Sequence, residues 1–334
     1  MARPPVVDIH AHVVPEGYLR LIEAEGGAHG VSLRPGPEGP YILIGPPNGQ
    51  VPIGPITAAY HDLDRRIQAM DALGVTIHAL SLMPPMVYWA DADLGLRLAR
   101  LVNDAMAEAV RARPDRLVGL ATLPLQAPEA AVAEVGRAIT ELGLRGVYLG
   151  TNVRGADLDD PSLTPVFARI AALGVPVFLH PVNVLGGGRV GAYYLHNLLG
   201  NPFDTAVAAA RLVFGGVLDR FPSLRVCLPH AGGAFPYLLG RLDRGYRVRP
   251  ECKHLPRSPS AYLEHFLFDT ITHSPDALRY LIGLAGPDRV MLGSDYCFDM
   301  GDEDPVGALA AVEMSPEDRA RVLGGNAVRL LGLD

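Results

Sequence analysis

Three cysteines in 334 residues, Cys227, Cys252 and Cys297, are too few and too scattered for a disulfide framework, and none sits in a CxxC pair that could grip a metal. Blocks of lysine and arginine are missing as well. With 29 basic against 36 acidic residues the formal charge is −7, and a pI near 5.9 leaves no dense basic footprint for nucleic acid. There is no membrane-spanning run either. The longest uncharged stretch before Arg189 starts at Ile170, but Pro176, His180, Pro181, Asn183 and a run of three glycines interrupt it. The first residues, Met-Ala-Arg-Pro-Pro-Val-Val-Asp, lack the apolar core and small-residue cleavage site of a signal peptide. These absences predict a cytoplasmic protein whose partner is a small molecule, with no nucleic acid and no membrane.

What is present describes a globular chain, 49% hydrophobic and 19% charged. Short β-branched runs alternate with stretches of helical period. The spacing predicts strands over Val6 to Val14, Val75 to Met83, Leu117 to Leu125, Gly146 to Thr151, Val175 to Val182, Leu224 to His230, Phe266 to Ile271 and Val290 to Ser294. Helices are expected between them, at Asp64 to Leu73, Leu96 to Ala112, Glu129 to Leu142, Leu163 to Leu173 and Phe203 to Arg220, and at the end over Glu317 to Leu323 and Ala327 to Leu331. Eight βα units predict an α/β chain folded as one distorted (β/α)8 TIM barrel over residues 1–334. A doubly wound sheet is the rival, but its ligand usually meets a glycine-rich first turn, and the first strand here ends in His-Ala-His-Val-Val-Pro. The length beyond a minimal barrel falls in insertions near residues 15–60, 183–202 and 246–264, read as long loops at the C-terminal rim, the first with a small β excursion.

His10 and His12 stand two apart in a strand, so both imidazoles leave the same face, and Asp8 extends it. His180 and His230 close the fifth and sixth strands, and Asp295 closes the eighth. Each alone is equally well read as a hydrogen-bonded structural residue. Together they place metal-competent and proton-transferring groups at the strand ends where barrel active sites form. Neutral imidazoles with one carboxylate suit Zn²⁺ best, and Mn²⁺ or Fe²⁺ would accept the same set.

These residues lie in motifs that resemble the amidohydrolase superfamily, in the decarboxylase branch typified by α-amino-β-carboxymuconate-ε-semialdehyde decarboxylase. The motifs are Val-Asp-Ile-His-Ala-His-Val-Val-Pro at 7–15, Met-Asp-Ala-Leu-Gly-Val at 70–75, Leu-His-Pro at 179–181 and Gly-Gly-Val-Leu-Asp-Arg-Phe-Pro at 215–222. Further ones are His-Ala-Gly-Gly at 230–233, Leu-Gly-Arg at 239–241, Arg-Val-Met-Leu-Gly-Ser-Asp-Tyr at 289–296 and Gly-Gly-Asn-Ala at 324–327. The resemblance implies that His10, His12, His180 and Asp295 hold one divalent metal with a water completing the shell. It makes His230 the unligated acid/base, and Asp295 a proton acceptor if the site instead hydrolyses. It also implies a homodimer in which Arg241 reaches a neighbouring site and binds substrate carboxylate.

The branch's carboxylate-binding arginine of the first insertion has no counterpart in Pro47-Asn48-Gly49-Gln50-Val51-Pro52, and the tryptophan that follows its fifth-strand His-Pro is Val182 here. A charge-assisted partner for a second carboxylate is therefore lacking, which argues against a dicarboxylate. The expected activity is metal-dependent, non-oxidative decarboxylation of a small unsaturated or aromatic acid. Hydrolysis of a C–C, amide or lactone bond is the alternative on the same site, with hydration third. Trp89, Tyr194 and His273 are the candidate substrate contacts, with Tyr88, Tyr193 and Phe298 as further rim aromatics and Arg189 as a second anion clamp.

Overall fold

The computed structural model describes residues 4–45 and 51–333. Among them eight parallel strands form one sheet in strict chain order. They are β1 (Val7–Val13), β2 (Ile77–Leu82), β3 (Leu117–Thr122), β4 (Gly146–Gly150), β5 (Val177–His180), β6 (Val226–Leu228), β7 (Phe266–Asp269) and β8 (Val290–Met291). Nearly every strand residue is buried, as expected of a parallel sheet covered on both faces. The ends of the sheet meet. Ile9 donates its N–H to the Leu292 carbonyl at 2.9 Å, Asp295 donates to the His10 carbonyl at 2.9 Å, and Ala11 bridges Tyr296. The expected barrel is the observed one.

Local sequence explains most boundaries. The helix Leu63–Leu73 starts where Asp62 accepts the Arg65 N–H and stops at Gly74, whose φ of 69° suits glycine. Asp91 caps Ala92–Ala112 in the same way. Two expectations change. The helix expected over 203–220 runs as Asn201–Phe214 and then a separate turn Val217–Arg220, because Gly216 takes a left-handed φ of 67° between them. The first insertion is more ordered than a loop with a β excursion: it opens with the helix Glu16–Glu25, anchored by buried Tyr18 and Ile22. A three-stranded antiparallel sheet of Val31–Arg34, Tyr41–Ile44 and Val51–Ile53 follows. Pro47, Asn48, Gly49 and Gln50 of the arginine-free stretch lie outside the described residues. No helix among the described residues is long and apolar enough to cross a membrane.

One buried polar node ties the helical layer to the rim. The Asn103 amide donates to the Thr122 carbonyl at 3.0 Å and to Glu134 at 2.7 Å, and its oxygen accepts the Thr122 N–H at 2.8 Å. Replacing it by leucine strands both Thr122 backbone groups at the end of β3. Asn103→Leu is expected to cost about 2–4 kcal/mol in urea unfolding, since each orphaned buried group forfeits its full desolvation cost. A loss under about 0.5 kcal/mol would show that water replaces the amide.

Candidate metal centre

The strand ends carry the site. His10 and His12 from β1, His180 from β5, His230 after β6 and Asp295 after β8 converge inside the barrel mouth. The His10 and His12 Nε2 atoms lie 3.2 Å apart, and Asp295 Oδ1 is 3.3 Å from the first and 2.9 Å from the second. Ligand atoms of His10, His180, His230 and Asp295 all fall within 4.8 Å of one another. The His180 ring stands 5.3 Å from His10 and 5.1 Å from His12, nearly perpendicular to both. Two nitrogens at Zn–N distances of ~2.1 Å in tetrahedral geometry stand about 3.4 Å apart, so the His10–His12 spacing of 3.2 Å is close to that of two ligands on one ion.

The outer nitrogen of each ring separates the histidines into two kinds. His10 Nδ1 meets Asp269 at 2.9 Å, His180 Nδ1 meets the Pro181 carbonyl at 3.0 Å, and His12 Nδ1 faces Ser81 Oγ at 3.4 Å. Each of these rings is thereby held with Nε2 turned inward, the arrangement of an oriented metal ligand. His180 Nε2 is buried with no protein partner, an orphaned lone pair aimed at the cluster. His230 differs. Its Nδ1 has no partner, and its Nε2 stands 3.7 Å from Asp295 Oδ2. Its side chain is also the most open, at 15% exposure against 5% or less for His10 and His12.

Electrostatics favour a cation here. Burial pushes His12 down to about 4, outweighing its bond to Asp295, and burial likewise holds His180 well below the ordinary value, which favours in both the neutral imidazole that metal binding requires. At His10 burial opposes protonation, but the Asp295 and Asp269 carboxylates outweigh it and raise the pKa. Burial alone would raise Asp295, yet the charge on His10, the bond from His12 and the neighbouring His230 hold it well below the usual carboxylate range. One carboxylate, Asp295, and the inward nitrogens of His10, His12 and His180 thus converge, with Asp269 behind His10, and the donor set fits a divalent ion.

The supports around the cluster were less visible in sequence. Asp269 closes β7 and accepts from the His230 and Ala231 N–H groups at 2.9 and 2.7 Å as well as binding His10. Those two residues take φ of 51° and 58°, a left-handed turn that disfavours side chains by about 1–2 kcal/mol each and that Asp269 stabilises. Gly293 makes room for this packing, because a Cβ there would fall 2.8 Å from that of Asp269 and 3.2 Å from that of His10. Buried Arg66 donates to the His12 carbonyl and lies over the Tyr296 ring at 4.9 Å. Asp8 does not share the metal face. A register break between Asp8 and Ala11 turns it to the Ser294 N–H at 3.1 Å, where it fastens β1 to the segment after β8. Asp269→Asn is expected to weaken divalent-metal affinity about 10–100-fold, measured by chelator competition. An unchanged affinity would show that the carboxylate does not orient His10.

The candidate substrate residues are spread around the mouth. Phe298 meets His12 edge-on at 5.0 Å and Tyr60 at 5.9 Å. Tyr194, 44% exposed, meets His196 edge-on at 4.7 Å, and partial burial with the Asp299 and Asp295 carboxylates raises its pKa, whereas Tyr193 stands 88% exposed. Trp89 packs against His29, and its indole N–H donates to the Met86 carbonyl at 3.0 Å, so only its ring is left for a ligand. Tyr88 accepts the Gly150 N–H at 3.0 Å inside the wall. His273 and Arg189 are exposed, His273 with a φ of 52°. Arg241 is exposed on the helix Phe235–Val248 and forms no ion pair among the described residues. The structure does not bring Trp89, His273 or Arg241 into the metal cluster.

Comparison with known proteins extends this geometry. A family model described as amidohydrolase matches residues 7–333. A 2-amino-3-carboxymuconate-6-semialdehyde decarboxylase from Dictyostelium discoideum is 38% identical, over 98% of this chain and 92% of its own. The IDCase of Metarhizium anisopliae superposes with a TM-score of 0.87 at 31% identity, covering 99% of this chain and 97% of its own. A dihydroxybenzoic acid decarboxylase from Polaromonas sp. JS666, solved with manganese and the inhibitor 2-nitroresorcinol, gives 0.81 at 27% identity, covering 99% and 97%.

Proposed function

The chain belongs to the amidohydrolase family, in its decarboxylase branch, and is a carboxy-lyase; from that premise we propose that it removes CO₂ from a small aromatic or unsaturated monocarboxylic acid, with His230 as the acid. The observation that carries the reading is the division of the histidines. His10, His12 and His180 each have an outer contact that turns Nε2 inward, and His230 has none. With Asp295 the first three form a ligand set, leaving His230 free to hold and move a proton at Nε2.

A divalent ion, when bound, supplies a fixed positive charge that anchors an anionic oxygen of the substrate and withdraws electron density from the reacting carbon. The zinc expectation rests on the donor types, and manganese fits the same donors. The chain's own residues do the rest. Phe298, edge-on to His12 and backed by buried Tyr60, and the half-exposed Tyr194 offer a flat apolar ring its packing surface. As the bond to the carboxyl carbon breaks, its electron pair stays on the ring carbon and CO₂ leaves neutral. His230 Nε2 delivers the proton that fills the vacated position, the task of a positioned general acid.

The lack of an arginine in residues 47–52 supports a substrate with one carboxylate rather than two, and Arg241 from a second copy in a homodimer would supply the remaining anion contact. The unit would work in the cytoplasm as a single metal-dependent barrel domain. The test is to offer the metal-loaded protein hydroxylated benzoates and muconate-like acids in D₂O. One CO₂ per product and one deuterium at the vacated carbon are expected. A product that has gained water without releasing CO₂ would replace this reading with hydrolysis or hydration.

A further inference from the structure

Tyr148 is a buried group that the mechanism does not use. It projects from β4 into the barrel and is 3% exposed. Its ring lies 6.1 Å from that of His12 and 5.9 Å from that of His180, against two of the three ligand imidazoles. Its hydroxyl lies beside Ser81 yet makes no hydrogen bond of normal geometry. An unpaired buried hydroxyl costs about 1–3 kcal/mol, so its retention beside a ligand calls for a reason.

The accounting of donors and acceptors around His12 supplies one. An imidazole that binds a metal through Nε2 carries its proton on Nδ1, and a buried N–H needs an acceptor. His10 has Asp269 and His180 has a backbone carbonyl, whereas His12 Nδ1 faces only Ser81 Oγ, at 3.4 Å. Ser81 Oγ also stands 3.4 Å from the Ala11 carbonyl. A serine hydroxyl has one donor and two acceptor sites. Donating to Ala11 leaves both lone pairs, one for His12 Nδ1–H and one for Tyr148 Oη–H.

We propose that Ser81 and Tyr148 are positioning residues for the metal centre, a hydroxyl relay in which Tyr148 donates to Ser81 Oγ and Ser81 in turn accepts the His12 Nδ1 proton. This rests on the reading of His12 as a ligand. The relay fixes the tautomer and tilt of His12 with neutral groups, whereas Asp269 uses a carboxylate on His10. The ligand pair of β1 is thus held unequally, and His12 is the less basic donor.

The test uses the full chain with Zn²⁺. The dissociation constant is measured by competition with a chromogenic chelator, beside the thermal midpoint of the metal-stripped protein. Ser81→Ala is expected to weaken Zn²⁺ binding about 10–100-fold and Tyr148→Phe about 3–10-fold, the range of lost outer contacts to metal ligands. Because both act through one oxygen, the double variant should bind no worse than Ser81→Ala alone, and Ser81→Thr should restore affinity. His12→Ala should release the ion. The relay is overturned if His12→Ala releases Zn²⁺ while Ser81→Ala stays within twofold of the parent. It is also overturned if the two substitutions add in full, or lower only the thermal midpoint. Stoichiometric Zn²⁺ retained by His12→Ala would remove the ligand reading itself, and the relay with it.

Discussion

His230→Asn is expected to keep one metal ion per chain and to lower kcat by about 10²–10⁴-fold, the usual worth of a positioned general acid. The two readouts must be taken together. The four residues whose ligand atoms all lie within 4.8 Å are His10, His180, His230 and Asp295, so by that distance alone His230 stands in place of His12. The outer contacts argue otherwise, because His230 Nδ1 meets no partner and its ring is the most open of the cluster. An imidazole left out of the ligand set can hold and release a proton at Nε2, which here stands 3.7 Å from Asp295 Oδ2. Asparagine removes that capacity while leaving the left-handed turn in place, since Asn tolerates positive φ better than most residues. Concerted loss of metal and turnover would instead assign His230 to the ligand set.

The His10→Ala, His12→Ala double variant carries the opposite expectation: metal content falls to background and turnover is lost with it. Two of four protein ligands disappear, and Asp295 loses the groups that hold it ionised. The remaining His180 and Asp295 make a two-donor site, below the three protein ligands typical of catalytic zinc. The barrel itself should survive, because β1 keeps its pairing to β2 and its contacts to the segment after β8. Elemental analysis after gel filtration reads the result. A folded double variant that still carries one ion per chain would move the centre elsewhere.

The barrel and five residues of the cluster were legible because their signals are local. Apolar runs that end in His180, His230 and Asp295 mark strand ends, and His10 with His12 gives the alternation of a strand. Asp269 offered the same signal, an acid closing Phe-Leu-Phe, but a lone carboxylate is harder to single out than a histidine. Ser81 and Tyr148 carried none. A serine inside Ala-Leu-Ser-Leu-Met and a tyrosine inside Gly-Val-Tyr-Leu-Gly read as ordinary wall residues until the barrel sets them beside His12. Asp8 shows the converse failure, since alternation placed it with His10 and His12 until a register break turned it toward Ser294. Trp89 had its place decided by tertiary partners, the Met86 carbonyl and the His29 ring, which no spacing along the chain encodes.

The division of roles, with His10, His12, His180 and Asp295 on one ion and His230 free, can be read from the ion's position. An anomalous difference map from crystals of the manganese-loaded protein tests it most directly. A single strong peak is expected, bonded to the Nε2 atoms of His10, His12 and His180 and to an Asp295 oxygen, with His230 beyond bonding distance. A peak bonded to His230 in place of His12, or no peak inside the barrel at full loading, would contradict it.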